Sequence, residues 1–217
     1  MPIIAGPLSA RIWRVRDSLP PHFTDLFQQG LKRNAFRPID TGKGQLRSMG
    51  WVNIRQILDS KMTVDKVLFR DVIAVALRVD RITINARVFR ATLSEKIGAA
   101  LREEKRKKLT SEERGVIEEQ VRMELANAQA PSTSIHEMAW HLESGVVFFG
   151  ATSEHLNIAF ADLFGQTFTL ALEPQLPYLR AESWARKQGR ESELAGLRPG
   201  AFSADAPSEV IHPVSAQ

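Results

Sequence analysis

The sequence predicts an α+β fold with antiparallel sheets, packed helices and one projecting helical hairpin. Segments with a strand-like pattern are grouped before and after one long pair of predicted helices. Strands and helices do not alternate regularly, as they would in a doubly wound α/β fold. Hydrophobic residues make up 43% and charged residues 25% of the 217-residue chain, which is typical of a globular protein that can bury a core.

The chain begins with a predicted strand and a predicted helix. Apolar and basic residues partly alternate over Leu8–Arg16, which predicts a strand. Apolar residues recur at helical spacing over His22–Arg33, with Gly30 near the end, which predicts an amphipathic helix. Thr41–Gly44 is expected to be a loop. Lys66–Val79 is rich in Val, Ile, Leu and Phe and predicts one strand or two strands joined by a bend.

Two helices are predicted in the middle of the chain. Asn85 suits an N-cap position, and apolar residues follow it at helical intervals to about Leu109. Thr110 and Glu113 have the spacing of a capping box and start a second helix that runs through Leu125. The apolar stripe on each helix is narrow, so the hairpin is expected to project from the body.

The remaining elements complete the body and end in a polar segment. After a linker at residues 128–134, strands at 135–142 and 146–151 flank a turn at Glu143–Gly145. Ser153 caps a helix that Gly165 is expected to end, and Thr167–Leu172 alternates as a further strand. Residues 182–194 predict one polar helix, and residues 198–217 predict a loose tail. We therefore expect a body at 1–84 and 131–180, a hairpin at 85–130, and a polar helix with a tail at 181–217.

Composition narrows the class of protein. The chain has no cysteine, which excludes disulfides, thiolate metal sites and a cysteine nucleophile and suits a reducing compartment. Its N-terminus lacks the pattern of a signal peptide. The longest apolar stretch, Val72–Leu77, is far shorter than the roughly 20 residues that cross a bilayer. We expect a cytoplasmic protein without a membrane partner.

A basic run in the predicted hairpin is the strongest local feature. From Arg87 to Lys108 the chain carries eight basic and three acidic residues, and such a surface attracts phosphate. The alternative interpretation is an ordinary solvated helix face with Glu–Lys pairs. The candidate DNA-binding residues of this run are Arg87, Arg90, Lys96, Arg102, Lys105, Arg106, Lys107 and Lys108.

A second basic set lies in the first quarter of the chain. Its candidate DNA-binding residues are Arg11, Arg14, Lys43 and Arg47. The whole chain has a formal net charge of +4, which is compatible with a polyanionic partner. Tyr178 is the single tyrosine and no aromatic-rich sheet motif is present, so a stacking platform for single strands is poorly supported.

No catalytic residue, cofactor or metal site is predicted. His136 and His141 are five residues apart in a predicted strand, which places them on opposite faces, and no nearby acidic residue is expected to complete a metal site with them. A metal-dependent nuclease would need a centre assembled from Asp17, Asp59, Asp71 or Asp80, whose spacing does not support one. A nuclease and a protein-interaction module remain the two alternatives to DNA binding.

Several motifs occur in an order that resembles the RdgC family of recombination-associated proteins. They are Met49–Val52 after an amphipathic helix, Ile97–Lys108 followed by a capped acidic helix, Met138–Trp140 before the Ser144–Gly145 turn, Phe160–Leu172, and then Pro174 and Pro177. The resemblance covers roughly residues 8–180, so we expect a family member that is shortened at the C-terminus.

The resemblance implies a non-enzymatic, nucleoid-associated bacterial protein. It implies an α+β subunit that forms a homodimeric ring around double-stranded DNA, without sequence preference, and restricts access of RecA-type recombinases. The hairpin 85–127 would be the tip element of that ring, with its basic residues near phosphate. The family's hairpin ends in a segment with an aromatic residue at the gate of the ring, whereas this chain has Gln129–Ser132 there.

Overall fold

The computed structural model describes residues 9–197, which belong to two compact units divided after Pro174. The first unit contains one antiparallel sheet with helices, so the predicted α+β class is confirmed. The second unit contains two short helices. Among the described residues, no helix combines the length and the apolar character needed to cross a membrane. The finer division into body, hairpin and tail stays a prediction.

Seven strands form the sheet in the order β2–β4–β5–β6–β1–β7, with β3 paired to β4 beside β2. The longest ladder joins β4 and β5, in which all ten residues of one strand face ten of the other. The bend predicted within 66–79 is the turn between β3 and β4. The bounds are β1 Arg11–Val15, β2 Arg47–Val52, β3 Leu68–Phe69, β4 Val72–Arg81, β5 Ser132–His141, β6 Val146–Phe149 and β7 Leu172–Pro174.

Two of the five helices in the first unit cover one face of the sheet, here called the inner face. Phe27 of α1 lies with its ring 4.9 Å from that of Phe168 in α5 and 5.5 Å from that of Trp140 in the sheet. A Cβ on Gly30 of α1 would lie 1.8 Å from the carbonyl oxygen of Thr167, so only glycine lets the two helices approach this closely. The bounds are α1 Phe23–Arg33, α2 Val64–Val67, α3 Ala86–Glu103, α4 Ser111–Asn127 and α5 Glu154–Phe168.

Alternation along the strands separates a buried face from a more exposed one. Trp51, Val75 and Trp140 point to the inner face and are buried against α1 and α5. The buried indole of Trp51 donates its Nε1–H to the hydroxyl of Thr167, 2.8 Å away, which satisfies a polar group that would be costly to bury alone. The opposite face, here called the outer face, carries a smaller cluster around Phe36.

The end of α5 differs from the sequence prediction. The helix continues through Gly165 to Phe168 and ends where Thr169 adopts a left-handed φ of 58°. Gly165 is therefore an ordinary helical position, and the strand predicted at 167–172 is reduced to the three residues of β7. The predicted linker 128–134 is also shorter than expected, because β5 already begins at Ser132.

The second unit corrects the prediction of one polar helix. Two helices, α6 Pro177–Gln188 and α7 Glu191–Gly196, replace it. Gly189 separates them with a φ of 66°, a conformation that ends a helix and that glycine adopts without steric cost. The predicted tail 198–217 and the start of the first predicted strand, Leu8, lie outside the described residues.

Candidate nucleic-acid interface

The exposed side of α3 carries unpaired arginines. With 3.6 residues per turn, Arg87, Arg90, Ser94, Gly98 and Arg102 lie within about 120° of one another around the helix. The three arginines are exposed, and among residues 9–197 none of them has a carboxylate within 4.0 Å. Arg87 and Arg102 are about 22 Å apart along the axis. The small side chains between them leave this surface open, and a Cβ on Gly98 would contact nothing.

Lys96 lies on the other side of α3, toward α4. Its ammonium group forms an ion pair with Glu124 of α4. A second contact joins the two helices: the guanidinium of Arg122 in α4 lies 5.2 Å from the ring centre of Phe89 in α3. The acidic helix thus neutralises Lys96 within the hairpin seam and leaves the arginines on the far side of α3 unpaired. Of the predicted residues in this helix, Lys96 is the one least able to bind an external phosphate.

The helix α3 ends earlier than predicted, and the basic run lies in the connection to α4. Lys105 adopts a left-handed φ of 49°. Its N–H donates to the carbonyl of Arg102 at 3.3 Å, and the N–H of Arg106 donates to the carbonyl of Leu101 at 3.1 Å. These two bonds form a Schellman motif, which stops an α-helix. The prediction that residues 105–108 form the distal part of the first helix is therefore wrong.

Arg106 holds the connection against the start of α4. Its guanidinium pairs with Glu104 and lies 2.7 Å from the carboxylate of Glu113. Glu113 also accepts the N–H of Thr110 at 2.8 Å, and the Thr110 hydroxyl accepts the N–H of Glu113 at 3.2 Å, so the predicted capping box is confirmed. The Thr110 N–H and then Arg106 lower the pKa of Glu113 below its usual value. Arg106 thus has a structural partner.

Three lysines of the connection have no such partner. Lys105, Lys107 and Lys108 are exposed, and among the described residues no carboxylate lies within 4.0 Å of them. Together with Arg102 they place four free cations at the end of the hairpin that is farther from the sheet. This set, Arg102, Lys105, Lys107 and Lys108, is called the tip cluster below.

The base of the hairpin contains a cation that the sequence analysis missed. Arg81, the last residue of β4, is directly opposite Arg47 of β2, which places their Cα atoms about 5 Å apart. Both side chains are exposed, and like charges in this position repel. Residues 82–85 connect Arg81 to α3. Only the strand register, which the sequence does not state, brings Arg47 and Arg81 together.

Lys43 lies near the acidic helix. Its ammonium group is 3.0 Å from the carboxylate of Asp40. The 3-10 turn that contains it, Thr41–Lys43, contacts α4 through a hydrogen bond from the Thr41 hydroxyl to the side chain of Asn127. Lys43 therefore has an acidic partner within its own loop.

The two candidates in β1 are not near the hairpin cations. Arg11 points to the inner face and pairs with Glu154 at 2.8 Å, whereas Arg14 is exposed on the outer face. Four strand spacings, roughly 19 Å, separate β1 from β2, which contains Arg47. The structure thus places Arg47 beside Arg81 at the base of the hairpin and leaves Arg11 and Arg14 apart from them.

The two strand histidines lie on opposite faces, as predicted. His136 is half-buried on the inner face, and burial lowers its pKa below the usual value. His141 is on the outer face, and its Nε2 lies 2.8 Å from the carboxylate of Asp71. The sequence does not indicate Asp71 as a neighbour of His141, because β4–β5 pairing brings together residues 70 positions apart.

Two of the carboxylates considered for a nuclease centre are occupied by cations. Lys66 lies 2.7 Å from Asp59, and its hydrogen bond lowers the pKa of that carboxyl group. Arg78 forms a two-point contact with Asp80, at 2.8 and 2.6 Å, which lowers the pKa of Asp80. Among the described residues, neither Asp59 nor Asp80 belongs to a group of side chains that could hold a metal ion.

Comparison with known proteins identifies the family. The sequence model of a family described as "Putative exonuclease, RdgC" matches residues 9–178. No curated protein sequence matches the chain. The matched region contains every strand of the sheet, the hairpin and its basic connection, and it agrees with the order of motifs noted above. The chain therefore belongs to the RdgC family.

Proposed function

We propose that this protein binds double-stranded DNA without sequence preference. The observation that carries the proposal is the tip cluster, because its four cations are exposed, adjacent and without carboxylate partners among the described residues. Lysine and arginine on such a surface displace the counterions of DNA and so gain binding free energy. Membership in a family of recombination-associated, DNA-binding proteins supports the same conclusion.

The form of the surface favours phosphate contact over base recognition. Arg87 and Arg102 lie along α3 with Ser94 and Gly98 between them, and the three lysines follow in the connection. Contacts of this kind to phosphate carry no sequence information. Single strands are bound mainly by stacking on aromatic residues. The hairpin has one aromatic residue, Phe89, and the guanidinium of Arg122 already covers it. A duplex is thus the better partner.

We propose further that two copies of the chain enclose the duplex and modulate RecA-type recombination on the nucleoid. This part rests on the family and on the projecting form of the hairpin, whose helices pack chiefly on each other. Enclosure predicts that the protein stays on closed circular DNA in high salt and slides from linear DNA of the same sequence. Equal loss from both forms would contradict enclosure while leaving electrostatic binding intact.

We propose binding without cleavage. The printed family description names a putative exonuclease, so the two possibilities need a direct comparison. Incubation of end-labelled duplex with the protein and Mg²⁺ or Mn²⁺ should leave the duplex intact. Shortening of the duplex with metal, and not with chelator, would establish the nuclease alternative.

The test of DNA binding compares unpaired cations with paired ones. Fluorescence anisotropy with a random duplex at low salt should show a large loss of affinity when all four residues of the tip cluster are replaced by alanine. The matched control replaces Arg11 and Lys43 by alanine; these two cations are paired with Glu154 and Asp40. The control variant should lose far less affinity for each charge removed. If the wild-type protein does not bind the duplex, the protein-interaction alternative takes its place.

A further inference from the structure

We propose a binding site for one divalent transition-metal ion, best suited to Zn²⁺, on the outer face of the sheet at the end opposite the hairpin. Its ligands are Asp71, His141 and Glu143, whose side-chain ligand atoms all lie within 4.8 Å of one another. The closest pair is the imidazole Nε2 of His141 and the Asp71 carboxylate, 2.8 Å apart. Histidine nitrogen and the oxygens of Asp and Glu are all ligands that proteins use for zinc, and the imidazole favours a transition metal over Mg²⁺ or Ca²⁺.

The fold holds these residues on two neighbouring turns. Asp71 follows Arg70, which turns β3 into β4 with a left-handed φ of 58°, and the carbonyl of Asp71 accepts the N–H of Leu142 at 2.8 Å. Glu143 lies in the turn between β5 and β6, which Gly145 closes with a φ of 68°. Because both turns are anchored to the sheet, the ligands are close together before any ion arrives.

The distances suit a small ion after modest side-chain movement. Zinc is bound at about 2.0–2.2 Å by nitrogen and oxygen, so two ligands in a tetrahedral site lie about 3.4 Å apart. The contact between His141 and Asp71 would open by about half an ångström. Glu143 is exposed and can rotate inward, and solvent would supply the fourth ligand.

The second ring nitrogen of His141 has a partner that fits metal binding. Its Nδ1 accepts the N–H of Ser144 at 3.1 Å, and the Ser144 hydroxyl lies 2.9 Å from the same nitrogen. Without metal this places the ring proton on Nε2, where it is donated to Asp71. With metal on Nε2, the Nε2 proton leaves to solvent and Nδ1 takes up a proton, which the Ser144 hydroxyl can accept, while the hydrogen bond from the Ser144 N–H to Nδ1 is given up. Such outer contacts orient a ligating histidine.

This site is separate from the proposed DNA-binding surface. His141 ends β5, whereas Ser132 begins it opposite Arg81 near the base of the hairpin, and a ten-residue strand spans about 30 Å. The candidate cation beside the metal site is Arg14, since Arg14 and His141 are both strand partners of Val146 on the outer face. Arg14 does not belong to the tip cluster. Loss of metal binding therefore need not alter contacts made by the tip cluster, and the two proposals can fail independently.

Isothermal titration calorimetry of the full chain with Zn²⁺ tests the proposal. We expect one equivalent to bind, with affinity at least about tenfold weaker in His141→Ala and in Glu143→Gln. His155→Ala is the matched control, because His155 is an exposed histidine elsewhere in the fold, on α5, and it should bind as the wild type does. Far-UV circular dichroism of each variant confirms folding, and Glu143→Gln alters only an exposed side chain.

Three results would overturn the site. The first is no binding of Zn²⁺ up to about 1 mM, the concentration that corresponds to very weak affinity. The second is equal affinity in wild type, His141→Ala and Glu143→Gln. The third is Mg²⁺ binding as tightly as Zn²⁺, since Mg²⁺ prefers oxygen ligands and would not need the imidazole.

Discussion

Replacing Lys105 with glycine should stabilise the protein and weaken its binding to DNA. Lys105 ends α3 with a φ of 49°, where steric contact of Cβ costs an L-residue about 1–2 kcal/mol. Glycine avoids that cost, but its greater freedom in the unfolded chain offsets about 0.4–1 kcal/mol. The free energy of unfolding should therefore rise by about 1 kcal/mol, while one phosphate contact is lost.

Lys105→Ala separates the two effects. Alanine removes the same ammonium group and keeps a Cβ in the left-handed region, so it should lose the same duplex affinity without gaining stability. Urea denaturation followed by far-UV circular dichroism measures stability, and hydrogen exchange of the amides of Lys105 and Arg106 reports on the end of the helix. If glycine and alanine give equal stability, the backbone argument is wrong, and if both keep full affinity, Lys105 does not contact DNA.

Three further predictions concern the body of the protein. Asp80→Ala leaves the largely buried guanidinium of Arg78 without its carboxylate partner and should lower the free energy of unfolding by about 3 kcal/mol. Arg78 lowers the pKa of Asp80 below its usual 3.8, so the stabilisation by this pair is complete above about pH 4 and is lost as the pH falls further. Urea denaturation of Asp80→Ala at different pH values should not show this loss. A variant that is as stable as the wild type at pH 7 would contradict the role of the pair. Burial lowers the pKa of His136 below its usual 6.5, so the unfolded chain takes up the proton first and stability should fall as the pH drops below about 6.5. His136→Gln should flatten that part of the pH profile of thermal melts, and an unchanged profile counts against the assignment. Thr167→Val leaves the buried Trp51 Nε1–H without an acceptor and should cost about 2 kcal/mol in urea denaturation, whereas a loss near zero would mean that the indole finds another partner.

The elements with local signals were predictable from the sequence. Asn85 and the capping box at Thr110 fix the starts of α3 and α4 through side-chain hydrogen bonds that span only two or three residues. The Glu143–Gly145 turn is equally local, since Gly145 adopts the positive φ that such a turn requires. These three signals depend only on neighbouring residues, which is why the sequence predicts them.

Two of the helix ends that the sequence does not predict lack a glycine signal. Lys105 and Thr169 both stop helices in the left-handed conformation, which most non-glycine residues avoid and which their types do not indicate. Gly165, conversely, suggests a stop in the sequence but is an interior helical residue. A helix end depends on hydrogen bonds that the following residues make, and composition alone does not show these.

The site required contacts between distant parts of the chain. The sequence shows the basic run, but it does not show that Lys96 forms an ion pair with Glu124, 28 residues away. Arg81 joins Arg47 only through the β2–β4 register. Asp71 reaches His141 only because β4 pairs with β5. The pairing of strands and helices therefore decides which charged side chains lack an ion-pair partner and which lie close to one another.

The salt dependence of duplex binding tests the central claim most directly. A plot of the logarithm of the association constant against the logarithm of salt concentration has a slope of about −0.9 for each phosphate contact. Removing Arg102, Lys105, Lys107 and Lys108 together should make that slope shallower by about 3.6, equally for duplexes of different sequence. A slope that remains the same as that of the wild type would show that phosphate is bound elsewhere and would contradict the assignment of the hairpin as the DNA-binding element.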